Sequence, residues 1–172
     1  TIDAVDICAP TFVHHEIVTA ALKAGKHVLC EKPMGLTVDD CNEMIAAAKA
    51  ADRRFMIAQV VRFWPEYVWL KRAYDERRYG ELRALHLRRQ ASFPDYTLGH
   101  WCLNPHLSGG AILDLHVHDT DYAVWLLGKP QAVFAQGYAQ ASGVDRVHAA
   151  WDYGLGKVVQ LEGFWDMPKG FN

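Results

Sequence analysis

The segment from Ser108 to Gly128 concentrates side chains that can do chemistry: Asp114, His116, His118, Asp119 and Asp121 lie among apolar residues. Two periodicities compete there. Leu113 to His118 alternates apolar and polar, and a strand would put Asp114, His116 and His118 on one face. His-x-His at a strand end is a plausible divalent-metal pair. A helix instead lines up Asp114, His118, Asp121 and Trp125 on one stripe. Ile112, Leu113, Leu115, Tyr122, Ala123, Leu126 and Leu127 then cover much of the remainder, and Gly128 and Pro130 terminate it. The pattern outruns a strand, which seldom exceeds about 10 residues, so the expectation is one helix over Ala111–Leu127. His116 and His118 then point to nearly opposite sides and cannot share a metal. An Asp and a His one turn apart suit general acid–base work: the carboxylate orients the imidazole, which moves a substrate proton. A polar helix face, with the His satisfied by the Asp four residues before it, is the plainer alternative.

Glu31-Lys32-Pro33 directly follows a short apolar run. In an open α/β sheet, ligands bind at the carboxyl ends of the strands, so Lys32 is placed to face a substrate or cofactor. Pro10-Thr11, with His14 in the next helix, occupies the equivalent edge one strand earlier. Ordinary loop chemistry, with Pro as a strand stop and Lys in solvent, accounts for either site alone. Two at one edge, followed by an acid–base helix, are harder to set aside.

These residues need elements to hold them. Val5 to Ala9 reads as a buried strand stopped by Pro10, Phe12 to Ala24 as a helix stopped by Gly25, and His27 to Cys30 as a second strand. Thr37 caps a helix with Asp39 and Asp40 in its first turn, running to about Ala51; Phe55 to Val61 is a third strand. This alternation predicts a parallel α/β sheet. The character then changes, with a boundary near Val61. Pro65 starts a helix that Gly80 ends. Leu82 to Ala91 reads as a strand whose alternating charges leave one face wet or against a partner. Ser92 to Ser108 reads as a loop rich in aromatics and His, and Gly109-Gly110 leads into the helix above. Ala132 to Trp165 reads as three strands with a turn at Gly154-Leu155-Gly156, which predicts an α+β unit with an antiparallel sheet. No internal repeat or low-complexity segment stands out.

Composition limits the function classes. The 172 residues are 51% apolar and carry a formal charge of −2, which argues for a packed core and against nucleic acid, since no basic stripe appears. Arg53-Arg54 and Arg77-Arg78 read as solvated helix ends. No apolar run approaches the roughly 20 residues of a membrane span, and Thr1-Ile2-Asp3 does not open like a signal peptide. Cys8, Cys30, Cys41 and Cys102 have no CxxC spacing; they read as reduced thiols of a cytoplasmic protein.

Ala9-Pro10-Thr11-Phe12-Val13-His14, the run Ala20-Ala21-Leu22-Lys23-Ala24-Gly25-Lys26-His27-Val28-Leu29-Cys30-Glu31-Lys32-Pro33, and Gly109-Gly110 followed by Asp114 and His118 together resemble the glucose–fructose oxidoreductase / inositol dehydrogenase / MocA family. The resemblance runs from about Asp3 to Trp165. It implies an α/β fold: the C-terminal half of a Rossmann-type parallel sheet over residues 1–61, then part of a C-terminal α/β substrate and oligomerisation domain with a mainly antiparallel sheet over 62–172. It implies NAD or NADP as cofactor and a sugar, polyol or related hydroxy or carbonyl compound as substrate. Lys32 would be the catalytic lysine, His118 the proton acceptor or donor, and Asp114 a substrate ligand that tunes His118. Pro10, Thr11, His14, Glu31, Lys32 and Pro33 would line the cofactor side. Trp101 and Asn104 are candidates for substrate contact by position. A homo-oligomer formed through the C-terminal sheet is implied as well.

The sequence departs from the family pattern in two ways. No Gly-x-Gly-x-x-Gly turn is present, as expected of a chain that begins after the first strand, so the fragment as given is expected to bind cofactor poorly and to be inactive alone. His116 stands where the family commonly has Gly. The competing expectations are a non-catalytic dinucleotide-binding sensor or corepressor, and a metal-dependent hydrolase resembling the amidohydrolase barrels, with His116 and His118 as ligands. Some proteins resembling the family are glycosidases that use NAD transiently.

Overall fold

Three short apolar strands, β1 (Ala4–Ile7), β2 (His27–Glu31) and β3 (Phe55–Ala58), pair in parallel in the order β1-β2-β3 in the computed structural model, which describes residues 2–154 and 156–171. Helices α1 (His14–Lys23) and α2 (Val38–Ala51) connect them. Val18 and Leu22, one turn apart on α1, join Ile7, Val28, Cys30 and Met44 in one buried cluster. The local signals work as read: Thr37 Oγ1 accepts from the Asp40 amide at 3.1 Å as the N-cap of α2. Two edges differ from expectation. β1 stops at Ile7, and the first helical turn after it, Thr11–Val13, is a 3-10 turn. β3 stops at Ala58, because Val60–Phe63 winds into a 3-10 turn that buries Val61 in the second core.

That second core lies between helices and a four-stranded sheet. Helix α3 (Pro65–Asp75), with Pro65 in its first turn, is followed by β4 (Ala84–Ser92). After three further helices come β5 (Ala132–Ala139), β6 (Val144–Asp152) and β7 (Val158–Met167), in the sheet order β4-β7-β6-β5. β5-β6-β7 is antiparallel, as tight connections require. β4 pairs with β7 in parallel, so the sheet is mixed and mainly antiparallel, as expected. The long helical excursion after β4 returns the chain to the same end before β5 is laid down, and two reversals then bring β7 parallel to β4. Of the expected turn at Gly154-Leu155-Gly156, Leu155 lies outside the described residues.

The alternation in β4 resolves as Leu85 buried and Arg88 exposed. On the open face of the sheet, Arg88 Nε donates to Glu162 at 2.5 Å, and His148 Nδ1 lies 3.3 Å from the same carboxylate.

The stretch read as a loop before the chemical segment is partly helical. A kinked 3-10 segment covers Leu98–Leu103, and a single turn, α4 (Pro105–Ser108), follows. The expected continuous helix is two helices, α5 (Gly110–Asp114) and α6 (Val117–Leu127). At the break the Leu115 and His116 amides both donate to the Ala111 carbonyl, at 3.1 and 2.8 Å, so one ladder position is lost. Upstream, Gly109 takes φ +76°, and a Cβ there would sit 2.4 Å from Leu113 Cδ1, so only glycine fits.

Candidate active site

Lys32 leaves the carboxyl end of β2, and its side chain crosses to the other unit. Nζ donates to the Asp114 backbone carbonyl at 2.8 Å and to Asp114 Oδ1 at 2.9 Å. Both side chains are about four-fifths buried. His118, in the first turn of α6, lines the same open cleft of about 360 Å³, together with Phe93, Tyr96 and Trp165. The helix break is what lets Asp114 at the end of α5 and His118 at the start of α6 serve one cavity while the rest of the expected stripe turns away. Asp121 instead forks with Arg62, at 2.7 and 2.6 Å, and Trp125 stacks under the same guanidinium.

The electrostatics keep His118 in its unprotonated form. Burial, then the cations of Lys32 and Arg89, push the His118 imidazole down to about 3, so it stays neutral over the ordinary pH range. Its Nδ1 is buried without a hydrogen-bond partner among the described residues. Arg89 is itself held by a forked pair to Asp119, at 3.0 and 2.9 Å, and by Tyr67 Oη. Asp119, next to His118, is 1% exposed. His116 faces elsewhere: it is buried against β7, where a Cβ on Gly163 would come within 3.1 Å of it. His116 and His118 therefore serve different surroundings, as the helical reading required.

The cofactor-side candidates divide. Pro10, Thr11, Glu31 and Pro33 do sit at the carboxyl ends of β1 and β2, and Glu31 accepts from the Lys32 amide at 3.2 Å. His14 is fully buried, with its ring between the carbonyls of Ala9 and Pro33; it lies beneath the edge instead of lining it. Trp101 packs edge-on against Phe12 at 6.1 Å, which places it beside that edge and not among the cleft-lining residues. Asn104 is the cap of α4, its carbonyl oxygen accepting from the His106 amide at 3.0 Å.

Sequence reasoning missed the outer wall of the cleft: Phe93, Asp95 and Tyr96 after β4, and Lys169 after β7. Because β4 and β7 run parallel, with Ser92 beside Met167, both strands deliver their following residues to the same place. Lys169 Nζ donates to Asp95 at 3.0 Å across this wall. Spacing in the sequence could not signal a contact made by that pairing.

Comparison with known proteins agrees with this architecture. Residues 1–59 match a model described as an oxidoreductase family with an NAD-binding Rossmann fold, and residues 67–172 match the GFO/IDH/MocA C-terminal domain. The chain is 37% identical over 147 residues to a scyllo-inositol 2-dehydrogenase (NADP(+)) of Bacillus subtilis, covering 83% of this chain and 44% of that protein. It is 35% identical over 140 residues to a myo-inositol 2-dehydrogenase of Thermotoga maritima, covering 79% and 40%. A levoglucosan dehydrogenase solved with NADH and levoglucosan superposes with a TM-score of 0.88 at 28% identity, over 99% of this chain and 50% of that one. The chain thus spans less than half the length of these two curated relatives. With both of its sheets matched in their expected order, the chain belongs to the GFO/IDH/MocA oxidoreductase family.

Proposed function

We propose that the complete protein is an NAD(P)-dependent dehydrogenase or reductase of a sugar, polyol or related hydroxy or carbonyl compound, and that residues 1–61 and 62–172 are its partial cofactor and substrate domains. The observation that carries this reading is the convergence of Lys32, Asp114 and a neutral His118 on one polar cleft at the carboxyl edge of a parallel sheet. The residues present fit the nicotinamide end of a dinucleotide. Lys32 lines the cleft and stands at the strand edge that also carries Pro10, Thr11, Glu31 and Pro33, while the sequence contains no glycine-rich turn to cradle a pyrophosphate. When bound, the nicotinamide ring supplies the acceptor or donor of hydride.

The chain's own groups manage the rest. Lys32 donates to the reacting oxygen and holds it in place; Asp114 fixes the ammonium and binds a second hydroxyl. In oxidation, neutral His118 takes the hydroxyl proton as the carbinol carbon gives up hydride; reduction is the reverse step and starts from the imidazolium, the form that burial and Lys32 disfavour. A pure binder would have no use for a neutral buried base beside an anchored ammonium, which favours turnover over a sensor.

Replacing His118 by Ala is expected to lower kcat by about 10² to 10⁴-fold with dinucleotide affinity retained. Full turnover in Lys32→Ala would remove the assignment. We further read the open sheet face, with exposed Phe134, Tyr138 and Val158, as the surface of a homo-oligomer. The four free cysteines support a cytoplasmic setting, and no described helix is long and apolar enough to cross a membrane.

A further inference from the structure

His14 opens α1 with its ring turned into the protein, 0% exposed. Its Nδ1 lies 2.9 Å from the Pro33 carbonyl oxygen and its Nε2 2.8 Å from the Ala9 carbonyl oxygen. Both partners can only accept. The ring is thus captured between two backbone acceptors, one in each loop.

Ala9 lies in the loop leaving β1, and Pro33 lies in the loop leaving β2, one peptide beyond Lys32. One ring therefore fastens both exits of the sheet edge. Lys32 is then held at two ends: its backbone through Pro33 and His14, its ammonium through Asp114. We propose that His14 is a positioning residue that fixes the backbone from which Lys32 reaches the cleft. The catalytic consequence rests on the role proposed for Lys32; the tie itself does not.

Two measurements on the complete protein test this. The first uses 15N-histidine labelling and long-range proton–nitrogen spectra, with His14→Gln to assign the signal. A slowly exchanging ring N–H is expected on His14, unlike His15, which pairs with Glu43 at the surface. A His14 ring N–H that exchanges as fast as that of His15 overturns the tie. The second compares His14→Phe, which has no donor, with His14→Gln, which keeps one. At matched folded fraction, kcat is expected to fall by about 10 to 10²-fold in the Phe variant and less in the Gln variant. KM for dinucleotide is expected to change by less than about threefold. An unchanged kcat per folded molecule overturns the positioning role. If Lys32→Ala and His118→Ala also keep full turnover, the catalytic reading fails as well, while the nitrogen spectra still decide the tie.

Discussion

At the residue scale the decisive quantity is the charge state of His118. Its ordinary value is 6.5, and in the folded protein it is lowered to about 3 by burial and then by Lys32 and Arg89. A base that stays unprotonated through the mildly acidic range should leave kcat/KM for alcohol oxidation flat as pH falls through 6.5. A break near 6.5 in a steady-state pH profile would contradict the environment described. The same shift has a stability consequence of definite sign. Below 6.5 the unfolded imidazole binds a proton that the folded one refuses until about 3, so acid draws the protein toward the unfolded state across that window. His118→Asn should reduce the loss of Tm on acidification. Arg89 matters to the fold for a related reason. Removing it leaves the Asp119 carboxylate, 1% exposed, without its forked partner. Arg89→Ala should cost about 3–5 kcal/mol in denaturant unfolding, with part of that recovered when Asp119 is replaced by Leu in the same protein.

At the element scale, the sequence shows most clearly where a single side chain decides the outcome. Thr37 caps α2, Pro65 opens α3, and Gly128 closes α6, each by local chemistry that needs no tertiary partner. The break between α5 and α6 was not legible. The apolar residues on either side keep one periodicity, and the lost ladder position at Ala111 depends on how His116 packs against β7. Lys32, Asp114 and His118 were legible because their types and flanking residues carry the family resemblance. The burial of His14 was not, because the carbonyls that capture its ring belong to two loops brought together by strand pairing. His116 and Gly163 read as a matched pair, a large residue on the helix break facing the absence of a side chain on the strand. Gly163→Ala would press a methyl within 3.1 Å of His116. It is expected to cost about 1–3 kcal/mol, and His116→Gly in the same chain should relieve much of it. A double-mutant cycle with zero coupling would show that the two positions do not share space.

At the scale of the whole molecule, the candidate site forms where two separately organised sheets meet. The first delivers Lys32, the helices above the second deliver Asp114 and His118, and the parallel pairing of β4 with β7 delivers the outer wall. That wall is bridged by Lys169 and Asp95, which are exposed at 89% and 55% of their side chains. An ion pair so open to water and salt adds little to folding. Its place at the mouth of the cleft makes it a candidate for contact with the far end of a polar substrate, away from the reacting carbon. The two roles predict different results. Lys169→Ala should leave the thermal midpoint where it is, raise KM for substrate and keep kcat near its original value, because a contact made equally in ground and transition states alters binding alone. A substrate analogue shortened at the end distant from the reacting hydroxyl should lose its sensitivity to the mutation. Were kcat to fall with KM unchanged, the wall would be acting on the chemistry itself, through the loop that carries Phe93 and Tyr96 alongside Asp114 and His118.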